Sequence, residues 1–103
     1  MPFDGSNRTI SAVTRLLADG RQHLDQGWCQ HRTRQRGSAC MVGSLGISNY
    51  EEFIAAERLL LKAIVALGHT QSSIAQFNDA PGRTKQQVLE VYDRAIQQSL
   101  MVA

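Results

Sequence analysis

The sequence predicts an all-α fold, a compact bundle of four to five helices in a single domain spanning residues 1–103. Three observations lead there. Apolar residues recur at three- and four-residue spacing through 50–67 and again from about 85 to 100, which puts them on one face of a helix. No stretch alternates apolar and polar residues with the period of two that marks a half-buried strand. Dense turn and capping chemistry separates the helical stretches, above all in Phe77-Asn78-Asp79-Ala80-Pro81-Gly82-Arg83-Thr84. Helices patterned in this way gain stability by burying their stripes against one another.

Composition narrows the function classes. The chain is 43% apolar and 19% charged, ordinary for a globular domain with its own core. The aromatic residues are Phe3, Trp28, Tyr50, Phe53, Phe77 and Tyr92, so most of the core must be aliphatic. A net charge of +2 is too small to steer the chain onto nucleic acid. Residues 1–50 carry six basic and three acidic side chains and residues 51–103 carry five and six, a weak asymmetry. No apolar run approaches the ~18 residues of a membrane span, and the N-terminus lacks a basic-then-apolar leader. Cys29 and Cys40, eleven positions apart with polar sequence between them, are too few for a secreted disulfide scaffold. Both are expected to be reduced, and the location cytoplasmic.

Each element has a local reason. Residues 1–7 are polar and turn-rich and are expected to fray. From Thr9 to about Asp25, Ile10, Val13, Leu17, Gly20 and Leu24 form a helical stripe, with Leu16 and His23 alongside. Gly20 on that stripe either admits a second helix closely or breaks this one, at about 1 kcal/mol against alanine. Gly27 fits the helix C-terminus. Residues 30–38 contain no apolar side chain and read as an exposed basic loop. Ala39 to Ile47, apolar and small with Gly43 and Gly46 inside, reads as a short, tightly packed helix, with a strand as the alternative.

The helix from about Tyr50 to Leu67 starts at a cap supplied by Asn49, with Glu52 at its third position. Phe53, Ala56, Leu60, Ala63, Ile64 and Leu67 form one stripe; Ile54, Leu61 and Val65 form a second. So wide an apolar surface belongs to a central helix or to one that also makes an oligomer interface, and a homodimer through it is expected. Gly68 ends it, Thr70–Phe77 forms a short helix, and Thr84 with Gln87 reads as a capping box. The last helix carries Val88, Val91, Tyr92, Ala95, Ile96 and Ser99 on one face, with Leu89 and Leu100 at its margins.

Candidate chemistry is sparse. Glu57 lies between the two stripes, among Phe53, Ile54, Leu60 and Leu61, where a desolvated carboxylate needs a partner. Arg83 is the expected one. The same residues suggest an alternative, a small-molecule or anion pocket formed by Glu57, Asn78, Asp79, Arg83 and Thr84. Arg32, Arg34 and Arg36 form the strongest basic cluster and offer a second alternative, contacts to the phosphates of nucleic acid. It is short and has no aromatic side chains for bases to stack on. His23, Cys29, His31 and Cys40 are metal-ligating types, but no two stand at paired-knuckle spacing, so no metal is expected. Nothing brings Cys40 beside a histidine in the manner of a nucleophile and its base, and no cofactor motif is present.

Gly27-Trp28, Cys40-Met41-Val42-Gly43-Ser44-Leu45, the Phe77–Thr84 turn, Val88 and Ala95-Ile96 together resemble a family of small helical proteins of bacteria and phages, a domain of unknown function. The resemblance covers Leu16 to Ser99, and the family's turn usually carries tryptophan where this chain has Phe77. It implies a helical fold and brings no activity or cofactor. The leading expectation is a non-enzymatic interaction or accessory module that self-associates.

Overall fold

A computed structural model of the chain describes residues 11–46 and 49–101. The expected fraying of residues 1–7, together with Thr9, Ile10 and Ile47, lies outside the described residues. The first helix, α1 (Ala12–Gln26), begins where Ser11 accepts a hydrogen bond from the Thr14 amide at 3.1 Å. Its start is therefore three residues later than the apolar stripe suggested, because a serine cap outranks an apolar period in setting the boundary. It buries Thr14, Leu17, Gly20 and Leu24, and the Gly27 amide closes it onto the His23 carbonyl at 3.1 Å.

The basic loop contains a feature that the sequence reading lacked. β1 (Arg34–Gln35) pairs antiparallel with β2 (Ser38–Ala39), Arg34 opposite Ala39 and Gln35 opposite Ser38. Two residues per strand are too few to show any alternation, and Arg36 and Gly37 turn the hairpin at positive φ. The short apolar helix follows as α2 (Met41–Leu45), packed on α1.

α3 (Tyr50–Ala66) starts at Asn49, whose side chain accepts the Glu52 amide at 3.0 Å. Phe53, Ala56, Leu60, Ala63 and Ile64 are buried, which is the first stripe up to its last member, Leu67. The second stripe divides. Ile54 and Leu61 pack against the core, while Val65 is 67% exposed. Gly68 donates to Val65 and His69 to Ile64, the paired bonds of a Schellman end. α4 (Ile74–Asp79) and α5 (Lys85–Met101) complete the chain.

α1, α3 and α5 pack pairwise into a three-helix frame, and α2 and α4 meet each other beside it. Leu17, Leu24, Leu60, Ile64, Phe77, Val88 and Tyr92 are fully buried between these elements. Each such side chain is worth about 1.5–3 kcal/mol of transfer free energy, so the shared core, rather than the surface charges, holds the frame. The α1–α5 seam also carries polar contacts. Thr14 and Ser99 hydroxyls meet at 2.6 Å, and Arg21 grips Asp93 through two nitrogens. That ion pair is exposed and contributes well under about 1 kcal/mol.

Gly20 stands where the seam is tightest, and its helix runs unbroken through it. A Cβ there would lie 3.1 Å from Leu45 Cδ2 and 3.2 Å from both Ser44 Oγ and Tyr92 Cε2. The Tyr92 ring cannot yield, because its hydroxyl is fixed by Ser44 Oγ at 2.9 Å and the Met41 carbonyl at 3.0 Å. The close-approach alternative is thus the one realised. Gly20→Ala gains about 1 kcal/mol of helix propensity and meets overpacking of about 1–3 kcal/mol. Urea denaturation should show a net loss of about 1 kcal/mol; a more stable variant would mean that the seam is loose.

Candidate functional site

The turn after α4 builds itself from local chemistry. Ser73 caps α4 by accepting the Gln76 amide at 3.1 Å, and the Arg83 amide donates back to the Ala80 carbonyl at 3.0 Å. Pro81 and Gly82 fill the middle of that reverse turn, with Gly82 at φ 76°. A proline second and a positive-φ residue third is the type II pattern, which glycine alone adopts without strain. Thr84 then opens α5 with a reciprocal capping box: Gln87 N donates to Thr84 Oγ1 and Thr84 N donates to Gln87 Oε1, both at 3.1 Å.

Asn78 faces inward from this turn and is 1% exposed. Its Oδ1 accepts the Trp28 indole N–H at 2.8 Å and the Met41 amide at 3.1 Å. Its Nδ2 donates to the Cys29 carbonyl at 3.1 Å and to Asp79 Oδ1 at 2.9 Å. A carboxamide offers two lone pairs and two N–H groups, and here all four are used. One side chain therefore ties α4 to the strand leaving α1 and to the start of α2. Gln30 strengthens the join from the other side, donating to the Asn78 and Ala80 carbonyls at 3.0 and 3.1 Å.

Arg83 does not pair with Glu57, a correction to the sequence expectation. Its guanidinium lies 3.7 Å from the centre of the Phe77 ring and donates to the Phe77 carbonyl, Gln87 Oε1 and Gln71 Oε1. Neutral acceptors close at hand satisfy the cation, and burial pulls its pKa below the usual arginine value. Glu57 is half-buried and makes no hydrogen bond or ion pair with Asn78, Asp79, Arg83 or Thr84. The five residues suggested as a pocket thus divide into Arg83 and Thr84, which lock the turn, Glu57, which stands apart on α3, and Asn78 and Asp79, which face a groove.

That groove, about 250 Å³, runs between the basic loop and α4 and is lined by His31, Arg32, Thr33, Cys40, Val42 and Ala75 together with Asn78 and Asp79. Asp79 holds its wall: Oδ1 accepts the His31 amide at 2.8 Å, and Oδ2 lies 3.8 Å from His31 Nδ1. His31 adopts φ 65°, a left-handed conformation uncommon outside glycine and kept only where surrounding contacts over-determine it. Burial acts to raise the pKa of Asp79, but the His31 amide, the Asn78 amide and the histidine charge outweigh it and hold the carboxyl below its usual range.

The three arginines do not form one row. Arg34 turns its guanidinium onto the Gly43 carbonyl at 2.8 Å, and Arg36 sits at the hairpin turn with φ 46°. Arg32 is the one that reaches the groove. The thiols are engaged weakly: Cys29 Sγ donates to the Arg32 carbonyl and Cys40 Sγ accepts the Gly43 amide, each at 3.4 Å. Among the described residues no thiol or hydroxyl is hydrogen-bonded to a histidine, and no three His, Cys, Asp or Glu side chains are placed to hold a metal ion. No described helix is long and apolar enough to cross a membrane.

Sequence reasoning passed over Trp28, Gln30 and His31 as parts of this site. The signal available was the pairing of a lone tryptophan, which when buried seeks an acceptor, with an Asn-Asp dipeptide in a turn.

Asn78→Ala strands the Trp28 and Met41 donors and the Cys29 carbonyl, and should cost about 3 kcal/mol by chemical denaturation. It should also shift Trp28 emission while the protein is still folded; unchanged emission would break the link between the two side chains. Asp79→Asn tests the carboxylate separately. A carboxyl with a depressed native pKa stabilises the fold above its unfolded pKa of about 3.9 and loses that contribution as pH falls through the native value. The stability gap between wild type and Asp79→Asn should therefore be full at pH 7 and close below about pH 4, as read by thermal melts across pH.

No curated protein and no solved structure matches the chain. The sequence does match one family profile, described as "Family of unknown function (DUF6197)", over residues 8–98. That span takes in α1, α3, all of α5 but its last residues, the hairpin, the groove and the whole Asn78 join, and the chain belongs to this family.

Proposed function

We propose that the protein is a non-enzymatic binding module that takes a small anionic molecule in the groove between the basic loop and α4. The observation that carries this reading is the groove's wall: Asp79 holds the His31 backbone at positive φ, and Arg32 follows it onto the groove lining. Arg32 and His31 line the groove together with the Asp79 carboxylate, whose charge is engaged by the His31 amide and the Asn78 carboxamide. Arg32 makes no side-chain hydrogen bond or ion pair within the described fold, unlike Arg34 and Arg83, so its guanidinium is available to a ligand. A guanidinium fork suits carboxylate and phosphate oxygens.

The groove is a better-supported site than the second stripe of α3. Ile54 and Leu61 of that stripe are packed against the protein's own core, so the surface that suggested self-association contracts to Val65 and its surroundings. Among the described residues the Cys40 thiol on the groove wall contacts the Gly43 amide and is not hydrogen-bonded to His31, which favours binding over catalysis.

Thermal shift and calorimetry with inorganic phosphate, simple carboxylates and mononucleotides test the proposal. At least one should raise the melting temperature at low salt and lose affinity as ionic strength rises. Arg32→Ala should weaken that binding about tenfold or more and leave the melting temperature of the free protein unchanged. No response to any of these anions, or binding unaffected by Arg32→Ala, would defeat the reading.

A further inference from the structure

Cys29 and Cys40 lie on two chain segments that run side by side. The Cys29 amide donates to the Ala39 carbonyl at 3.1 Å and the Ala39 amide to the Gly27 carbonyl at 3.0 Å, which makes Trp28 and Ala39 a parallel bridge pair. One residue beyond a parallel pair, the next two side chains point to the same face of the ladder. Those two residues are Cys29 and Cys40. The Asn78 carboxamide adds a second tie, bonding the Cys29 carbonyl on one side and the Met41 amide on the other, each at 3.1 Å. Cys40 is thus fixed between Ala39 and Met41, both joined to the Cys29 segment.

We propose that Cys29 and Cys40 are a modification site that closes into an intramolecular disulfide across the Trp28–Ala39 bridge. The segments are directly paired, about 4.8 Å apart, at the Trp28–Ala39 bridge; one step on, the Asn78 carboxamide stands between the Cys29 carbonyl and the Met41 amide, so closure draws Cys29 and Cys40 together to the Cα separation of about 4.4–6.8 Å that a disulfide spans. Both thiols are free and half-buried, and closure gives up the two 3.4 Å sulfur contacts, Cys29 to the Arg32 carbonyl and Cys40 as the cap of α2 to the Gly43 amide. Burial first, and then the charges of Cys40 and Asp79, push the Cys29 thiol pKa up.

The oxidant is a small disulfide. The Cys40 thiolate, on the groove wall, attacks one of its sulfurs and releases one small thiol, leaving a mixed disulfide on Cys40. The Cys29 thiolate then attacks the Cys40 sulfur and releases the second. Two protein thiols are oxidised, one small disulfide is reduced to two thiols, and the two thiol protons leave with them. The product joins positions eleven residues apart and encloses the basic loop that carries Arg32, Arg34 and Arg36.

The test incubates the full chain with oxidised glutathione, blocks residual thiols by alkylation and reads intact mass without reductant. A monomer two hydrogens lighter, unalkylated and melting about 10 °C higher, with the shift reversed by dithiothreitol, is the expected result. Cys29→Ser and Cys40→Ser should each stop short of closure, and Cys40→Ser should react with glutathione more slowly than Cys29→Ser. A wild-type chain that halts at a mixed disulfide, links to a second copy, resists oxidation, or melts lower once closed would overturn the proposal. None of these outcomes depends on an anion binding in the groove, so failure here and failure of the anion reading are separable.

Discussion

The Asn78 carboxamide is the constraint on which the rest of this architecture depends. A buried amide that kept even one unpaired donor or acceptor would cost about 1–3 kcal/mol, comparable to burying a leucine. Complete pairing demands that Trp28, Cys29, Met41 and Asp79 arrive at fixed positions around it. The path of the chain from α1 into the hairpin and on to α2 follows from those four bonds. So does the groove, because the residues that line it hang between the anchors at 28–31 and 40–42.

The frame and the join are held by different physics. Between α1, α3 and α5 the contacts are apolar and close-packed, and shape decides them: Tyr92 fits against Gly20 because there is no side chain in the way. Around Asn78 the contacts are directional and polar, and valence decides them. Tyr92 links the two regions. Its ring belongs to the core, while its hydroxyl reaches Ser44 and the Met41 carbonyl, and burial raises its pKa far enough to keep it neutral.

How much of this was legible depends on the reach of each interaction. The Asn49 cap, the Thr84–Gln87 capping box, the Pro81-Gly82 turn and the end of α3 at Gly68 all involve residues within a few positions of one another, and their residue types announce them. The buried face of α3 was legible through Ile64 because the helical period survives there without interruption. The hairpin was not, since two-residue strands carry no period. Arg83 misled for a clear reason: its true acceptors include a main-chain carbonyl and two glutamines, and in the sequence only Glu57 stood out as a charge seeking a partner. Within the site, Asn78 and Asp79 were visible as turn residues. Their partners 37 to 50 positions away were not, because no local pattern encodes a contact at that separation.

That separation bears on how the molecule assembles. Helix caps and the type II turn can form within microseconds on isolated stretches of chain. The Asn78 join must wait until segments from three parts of the chain have met, and closing such long loops carries an entropic penalty that only the collapsed core can offset. The hairpin and the groove wall, which hang on that join, are therefore expected to order last and to loosen first. A transient opening of that join would release the loop bearing Arg32 and both cysteines ahead of the close-packed frame of α1, α3 and α5.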